Sequence, residues 1–380
     1  MSWTSIVNQS RVKDLLAATL KRKRLAHAYL FSGPAGSGKY ATAIELAKVV
    51  NCEHSDSETC GKCSDCSKFD SLQHPNVKLI FQLPVGKGEK AGEDPIAKLS
   101  DDEISIIRDQ INLKARNPYH PVSIPKANTI KVNSIREIRR ESSLSAFGKG
   151  KKVFIIIDAE TMNDESSNAL LKTLEEPHED TLLILTTSNP DALLPTLVSR
   201  CQHIRFDSLS DDIIIEALQE RKGIPPAQAK TIARLVNGNY SRALQYIDAS
   251  FHERQEYAVD FLRSMLFKSR RGLMSEIENI MSEYQKPDVR DMFRLMEQWL
   301  HDAMMLQQGI GSDPDSGDYE SLKKFISVYP DWDYPSACES LERAVSLLDK
   351  NVYIPLIVLD LSARLKKHLG ASSPIRTGVK

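Results

Sequence analysis

Residues Phe31–Tyr40 read FSGPAGSGKY, with the apolar run AHAYLFSG leading in and the helix-forming ATAIELAKVV leading out. A buried strand that turns through a glycine loop into a helix constrains the fold more than any other feature of the chain. It is the opening unit of a doubly wound α/β domain with a parallel sheet, whose ligand lies at the C-terminal ends of the strands. Within the loop, Gly33, Pro34, Ala35, Gly36, Ser37, Gly38 and Lys39 match a phosphate cradle. The glycines let backbone N–H groups converge on phosphate oxygens, and the lysine reaches the outer phosphates. Tyr40 breaks the pattern, because that position normally supplies a Ser or Thr hydroxyl to Mg²⁺.

The rest of the first half keeps alternating strand and helix. Val12–Lys23 reads as an amphipathic helix, HPNVKLIFQL as a strand, and Glu103 to about Lys114 as a helix capped by Asp101 or Asp102. TIKVNSIREIRRESSLSAF reads as a short strand and a helix, KKVFIIIDA and TLLILTTSNP as buried strands, and DESSNALLKTLEEP as a capped helix stopped by Pro177. Pro84–Lys98 is rich in Gly, Lys and Glu and reads as a loop. Beyond Phe251 helical periods continue without strand signals. The expected division is therefore 1–207 for the P-loop domain, 208–249 for a small helical lid domain, and 250–380 for an all-α domain that assembles oligomers.

A nucleoside triphosphatase needs an acidic residue at the end of a second buried strand and usually a following Glu that activates water. Asp158 fits the first requirement, but Ala159 follows it. Glu160 comes one residue later, where strand alternation would turn it to the opposite face. Both the hydroxyl ligand and the adjacent carboxylate are thus missing, which points to a phosphate cradle without hydrolysis.

Four of the six cysteines fall within fifteen positions, as Cys52-x₇-Cys60-x₂-Cys63-x₂-Cys66. Thiolates so spaced in a polar segment suit a structural Zn²⁺ site and a reducing compartment better than a disulfide framework. Cys201 and Cys338 read as core residues. Lys plus Arg number 50 against 51 Asp plus Glu, so the net charge of −1 announces neither nucleic acid nor membrane. Two local basic clusters stand out, Lys21, Arg22, Lys23 and Arg24, and then Arg136, Arg139 and Arg140. A start without a basic n-region and apolar core, and no apolar run of about 18 residues, give the expectation of a soluble cytoplasmic protein.

AHAYLFSGPAGSGK, the cysteine insertion, HPN, IIIDAETM, SNALLKTLEEP, LPTLVSRCQ and GNYSRAL, in this order from about Ile6 to Ile247, resemble the subunits of the bacterial DNA polymerase III clamp loader, an AAA+ assembly. Among those subunits Tyr40 and Ala159 resemble the delta-prime type rather than the ATP-hydrolysing gamma/tau type, which carries Asp-Glu where this chain has Asp158-Ala159. The resemblance implies a non-hydrolysing member of a hetero-oligomeric ring, with gamma/tau and delta-type partners, that loads the sliding clamp on primer-template DNA. It further implies that Arg200 acts in trans as an arginine finger on a neighbour's ATP site. Arg242 would contact nucleotide from the lid, Arg136 would face DNA, and ATP or ADP would sit on the loop with Asp158 nearby. The alternatives are an active ATPase of the gamma/tau type and a P-loop protein unrelated to replication.

Overall fold

A computed structural model of the chain describes residues 2–54, 58–86, 88–247, 250–284, 286–309, 319–350 and 352–369. The expected boundary at Ala249, residues 55–57 of the cysteine insertion and Lys87 of the expected loop lie outside the described residues. The elements run α1 (Ser10–Lys21), β1 (Ala28–Ser32), α2 (Lys39–Val50), α3 (Ser64–Asp70), β2 (Val77–Ile80), α4 (Asp101–Arg116), α5 (Val132–Ser142) and β3 (Lys152–Ile156). Then follow α6 (Asp164–Glu175), β4 (Thr181–Thr187), α7 (Pro195–Val198), β5 (Gln202–Arg205), α8 (Asp211–Lys222), α9 (Pro226–Val236) and α10 (Tyr240–Gln245). The remainder is α11 (Ser250–Phe267), α12 (Arg270–Glu283), α13 (Lys286–Gln307), α14 (Tyr319–Val328), α15 (Tyr334–Asp349) and α16 (Ile354–His368). Two compact units result, Met1–Ala217 with Gly238–Leu244, and Leu218–Asn237 with Gln245–Lys380.

The first unit holds a five-stranded parallel sheet in the order β2-β3-β4-β1-β5. Its register aligns Leu30 with Leu185 and His203, and Ile155 with Ile184 and Leu79. Every residue of β1 and β4 is buried, which is why both read as continuous apolar runs. Leu30, Phe154, Ile156, Leu183 and Leu185 pack with Ile135 and Ile138 of α5 and Leu170 and Leu174 of α6. Truncating any one of these to Ala costs about 2–5 kcal/mol. Because β1 and β3 flank β4, the sheet brings the loop after β1 and Asp158 after β3 to the same end.

Several local expectations change. Ser100 caps α4, not Asp101 or Asp102: Glu103 donates its N–H to Ser100 Oγ at 3.4 Å, and Ser100 N–H donates back to Glu103 Oε2 at 2.8 Å. The strand expected before α5 shrinks to a single bridge, Ile130 to Met162. α1 stops at Lys21, and Lys23 adopts a left-handed φ of 53°, so the first basic run leaves the helix instead of forming one helical face. β5 escaped the sequence reading because three of its four residues are exposed, leaving no apolar run to see. The Pro84–Lys98 stretch carries neither helix nor strand among its described residues. It is pinned by a buried pair, Lys131 Nζ to Glu89 Oε2 at 2.6 Å, with Asn133 Nδ2 donating to Glu89 Oε1 at 2.9 Å.

Among its described residues the second unit has helices and no strand. Phe293, Met296, Leu300 and Ala303 of α13 are buried together with Leu341, Ala344 and Leu348 of α15, and Trp299 meets Phe325 of α14 edge-on at 4.8 Å.

Candidate functional site

The glycine loop is wrapped by its own unit. At Gly36, with φ 73°, an added Cβ would collide with Asn239 Oδ1, the side chain that caps α10. At Gly38, with φ 97°, a Cβ would stand 2.9 Å from Tyr119 Oη. Both positions therefore require glycine for conformation and for space. Pro34 and Ala35 are exposed at the tip, while Ser37 is fully buried with its Oγ lacking a partner. Lys39 folds back, donating to Gly33 O at 2.6 Å, Pro34 O at 2.8 Å and Ser188 Oγ at 3.3 Å. Those carbonyls hold the ammonium against the loop's own backbone. Burial pushes Lys39 down to about 8, with Asp158 and Glu160 pulling it back up.

Tyr40, the residue that breaks the motif, is only 7% exposed, and its Oη has no hydrogen-bond partner. Its ring lies under a cation: Lys114 Nζ sits 3.7 Å from the ring centroid. Lys114 comes from the last turn of α4, is 5% exposed, and donates to His120 O at 2.6 Å. Burial drives it down to about 7, against the pull of Asp158. Next along the chain, Tyr119 is locked in place. Its Oη accepts from Val7 N–H at 2.9 Å, its ring meets Tyr240 edge-on at 4.9 Å, and Ser241 Oγ donates to its carbonyl.

Asp158 follows β3 in a left-handed conformation, φ 52°, uncommon outside glycine. It is the member of the group open to solvent. Its carboxyl is held above the ordinary value by the crowding protein and then by Glu160, opposed by Lys39 and Lys114. Ala159 is fully buried in the core, so no carboxylate occupies the adjacent position. Glu160, however, is not on the opposite face. β3 ends at Ile156, and the 3₁₀ turn Ala159–Thr161 after Asp158 swings Glu160 round to accept Ser188 N–H at 2.9 Å, beside Lys39. Strand alternation did not apply because the strand had already ended.

The four cysteine sulfurs lie within 4.8 Å of one another, with Cys66 Sγ 3.8 Å from Cys52 Sγ and 3.9 Å from Cys60 Sγ. A tetrahedron of Zn–S bonds of about 2.3 Å has edges of about 3.8 Å, so this set fits a metal ion of that kind. Backbone N–H groups of Cys60, Cys63 and Cys66 point at Cys52, Cys60 and Cys63 sulfurs at 3.3–3.4 Å, as thiolates require. Burial raises Cys66 to about 12; at Cys63 burial also raises the thiol, but N–H donors from Cys66 and Glu53 outweigh it and bring it to about 6. The HPN segment turns out to be a clip. His74 stacks on Phe69 at 4.7 Å and faces Asp65 at 3.3 Å, while Asn76 Nδ2 donates to Asn51 Oδ1 at 2.9 Å and to Phe147 O at 2.8 Å.

Arg200, just beyond α7, is 37% exposed in its side chain, pairs with Glu175 at 2.8 Å and donates to Thr196 O at 3.0 Å. Arg136 pairs with Glu165 at 3.0 Å on the surface. With Arg139, Arg140, Lys172 and His178 it lines a groove of about 710 Å³. Arg242 lies on α10, whose cap Asn239 packs on Gly36. Cys201 packs against the sheet core and Cys338 is half-buried, both pushed up to about 12 by burial. Sequence reasoning missed Lys114, Tyr119, Ser188 and Asn239. For Lys114 a signal existed: it falls in register with Ile104, Ile107 and Ile111 on the apolar stripe of α4, where a lysine has no reason to be unless it is used. Among the described residues no helix is long and apolar enough to cross a membrane.

The family described as "DNA polymerase III, delta subunit" matches residues 8–210 of the 380. DNA polymerase III subunit delta' of Bacillus subtilis is 30% identical over 246 residues, 64% of this chain and 61% of that protein. Subunit tau of the same organism is 30% identical over 249 residues, 64% of this chain and 36% of that protein. The chain thus spans less than two thirds of these relatives' lengths. A DNA polymerase III gamma subunit-related protein from Thermotoga maritima superposes with a TM-score of 0.40 at 14% identity, over 94% of this chain and 99% of that one.

Proposed function

The chain belongs to the DNA polymerase III clamp-loader family matched over residues 8–210, and we propose that within it the protein is a non-hydrolysing, delta-prime-type subunit. One observation carries this reading. At the nucleotide end of the sheet the hydroxyl position is Tyr40, whose ring is covered by the Lys114 ammonium, and the position after Asp158 is a buried alanine. The loop keeps Lys39 and its glycines, so the site binds ATP or ADP while lacking the usual magnesium and water-activating arrangement.

The subunit's contribution to turnover is then made at a neighbour's site. Arg200 supports this, being half-buried and held, among the described residues, by contacts with Glu175 and Thr196 that a stronger anion would outcompete. Gamma/tau and delta-type subunits, the sliding clamp and primed DNA are the proposed partners, with Arg136 and its basic groove on the DNA phosphates and Arg242 at the lid. The cysteine set holds structural zinc. Exposed Tyr353, at the N-cap of α16, and Leu356 and Leu359 within α16 give the helical unit an apolar patch suited to ring assembly. Reconstitution tests the assignment. Arg200→Ala should leave assembly intact and lower the complex's ATPase and clamp-loading rates, and Lys39→Met in the same chain should do far less; the reverse ranking overturns it.

A second reading, an active ATPase of the gamma/tau type, is favoured by Glu160, which sits beside Lys39 with one carboxylate oxygen buried and unpaired.

A further inference from the structure

We propose that Lys114 takes the place of the divalent cation at this P-loop, so that the site accepts a nucleoside di- or triphosphate without magnesium. The inference rests on the nucleotide-binding part of the proposed function and concerns how the phosphate charge is met.

A magnesium-type P-loop site needs a small hydroxyl on the loop helix and an acidic residue opposite it, both turned toward hydrated metal. Here the residues do not fit that ion. Tyr40 presents a ring face instead of a hydroxyl, and its own Oη is buried elsewhere without a partner. The ring face is occupied by a cation that belongs to the chain. Lys114 Nζ lies 3.7 Å from the Tyr40 centroid, and Asp158 is among the charges acting on it.

The charge balance follows the same logic. Lys39 and Lys114 are the two ammonium groups acting on Asp158, and Asp158 and Glu160 are the two carboxylates acting on Lys39. A polyphosphate entering the loop would meet Lys39, with Lys114, which acts on the same Asp158, as a second cation. A hard divalent ion would instead have to enter beside a buried ammonium, which repels it.

Lys114 is also held in a way that suits a standing role. α4 starts at a full capping box on Ser100 and Glu103 and ends by aiming Lys114 inward. The turn after it is closed by Lys114 Nζ to His120 O at 2.6 Å and by His120 N to Asn117 O at 2.8 Å. Tyr119 then anchors this turn against Val7, Gly38 and Tyr240. An ammonium driven down by burial, as this one is, gains most from an arriving anion, because phosphate restores the charged form. The segment between β2 and α5, which carries α4, thereby delivers a cation to the nucleotide site.

The test is calorimetric titration of ADP and ATP into the full chain, in EDTA and in excess Mg²⁺. The wild type should bind with affinities that agree within about twofold in the two buffers. Lys114→Met should weaken binding about ten- to a hundredfold, the value of one charge-assisted contact, and Lys114→Arg should keep most of it. Zinc content and the urea midpoint of each variant report folding, and if the methionine variant does not fold, the wild-type comparison and the arginine variant decide. Wild-type binding that tightens tenfold or more with Mg²⁺, or a Lys114→Met variant that binds like wild type, overturns the inference and leaves nucleotide binding standing. No binding of either nucleotide by the wild type in either buffer overturns the nucleotide-binding reading itself, and the inference with it.

Discussion

Tyr40 permits two substitutions with opposite expectations. Its side chain is buried, its ring carries the Lys114 ammonium, and its Oη is enclosed without a partner, which is why burial pushes the phenol well above its ordinary value. An enclosed unpaired hydroxyl costs about 1–3 kcal/mol relative to a bonded one. Tyr40→Phe removes that hydroxyl, keeps the ring and the cation–π contact, and should leave stability unchanged or raise it by up to about 1 kcal/mol. Tyr40→Thr restores the hydroxyl that a magnesium-binding loop would carry, but empties the ring's volume. An aromatic-to-small change in a core costs about 3–5 kcal/mol, and loss of the face beneath Lys114 adds about 0.5–2 kcal/mol. Urea unfolding of both variants beside the wild type, followed by circular dichroism with zinc retained, measures the difference. A Phe variant destabilised by more than about 1 kcal/mol would refute the reasoning, since it would mean that the hydroxyl is bonded in solution. So would a Thr variant as stable as wild type.

Further outcomes follow from other parts of the molecule. Lys114 is held at about 7 against an ordinary 10.5, so the unfolded chain takes up its proton first and wild-type stability rises with pH across that window. The advantage of Lys114→Met over wild type should therefore be greatest near pH 6 and shrink by pH 9 in urea melts; a pH-independent difference would contradict this. Purified protein should contain about one zinc per chain by elemental analysis, and Cys66→Ser should lose it while gaining protease cleavage near the cysteine segment; metal-free wild type with four freely titrating thiols would refute the assignment. Arg200→Ala removes an exposed ion pair worth about 0–1 kcal/mol, so the isolated chain should melt within about 2 °C of wild type. A larger fall would give Arg200 a structural role in this chain.

What was legible in the sequence was local. The glycine loop, Asp158 after a continuous apolar strand, and four closely spaced cysteines are each set by neighbouring residues, and the structure brings each group together as its spacing implies. Glu160 departs from the face that period-two alternation predicts because β3 ends at Ile156, and the left-handed Asp158 and a single 3₁₀ turn then rotate the chain. Lys114, Tyr119 and Asn239 were not legible as site residues, since only tertiary packing carries α4 and α10 to the loop. The apolar register of Lys114 was visible in the sequence; its partner, the Tyr40 ring, was not. β5 was lost for a related reason, as an exposed edge strand carries little hydrophobic signal.

The central claim is that this P-loop is kept without hydrolysis. Phosphate release from ATP by the purified chain, in Mg²⁺ and with Lys39→Met in parallel, tests it most directly. The account predicts that the two proteins give the same background rate. Turnover by the wild type that Lys39→Met abolishes would contradict it, and would make Glu160, beside Lys39 and Ser188, the carboxylate to pursue.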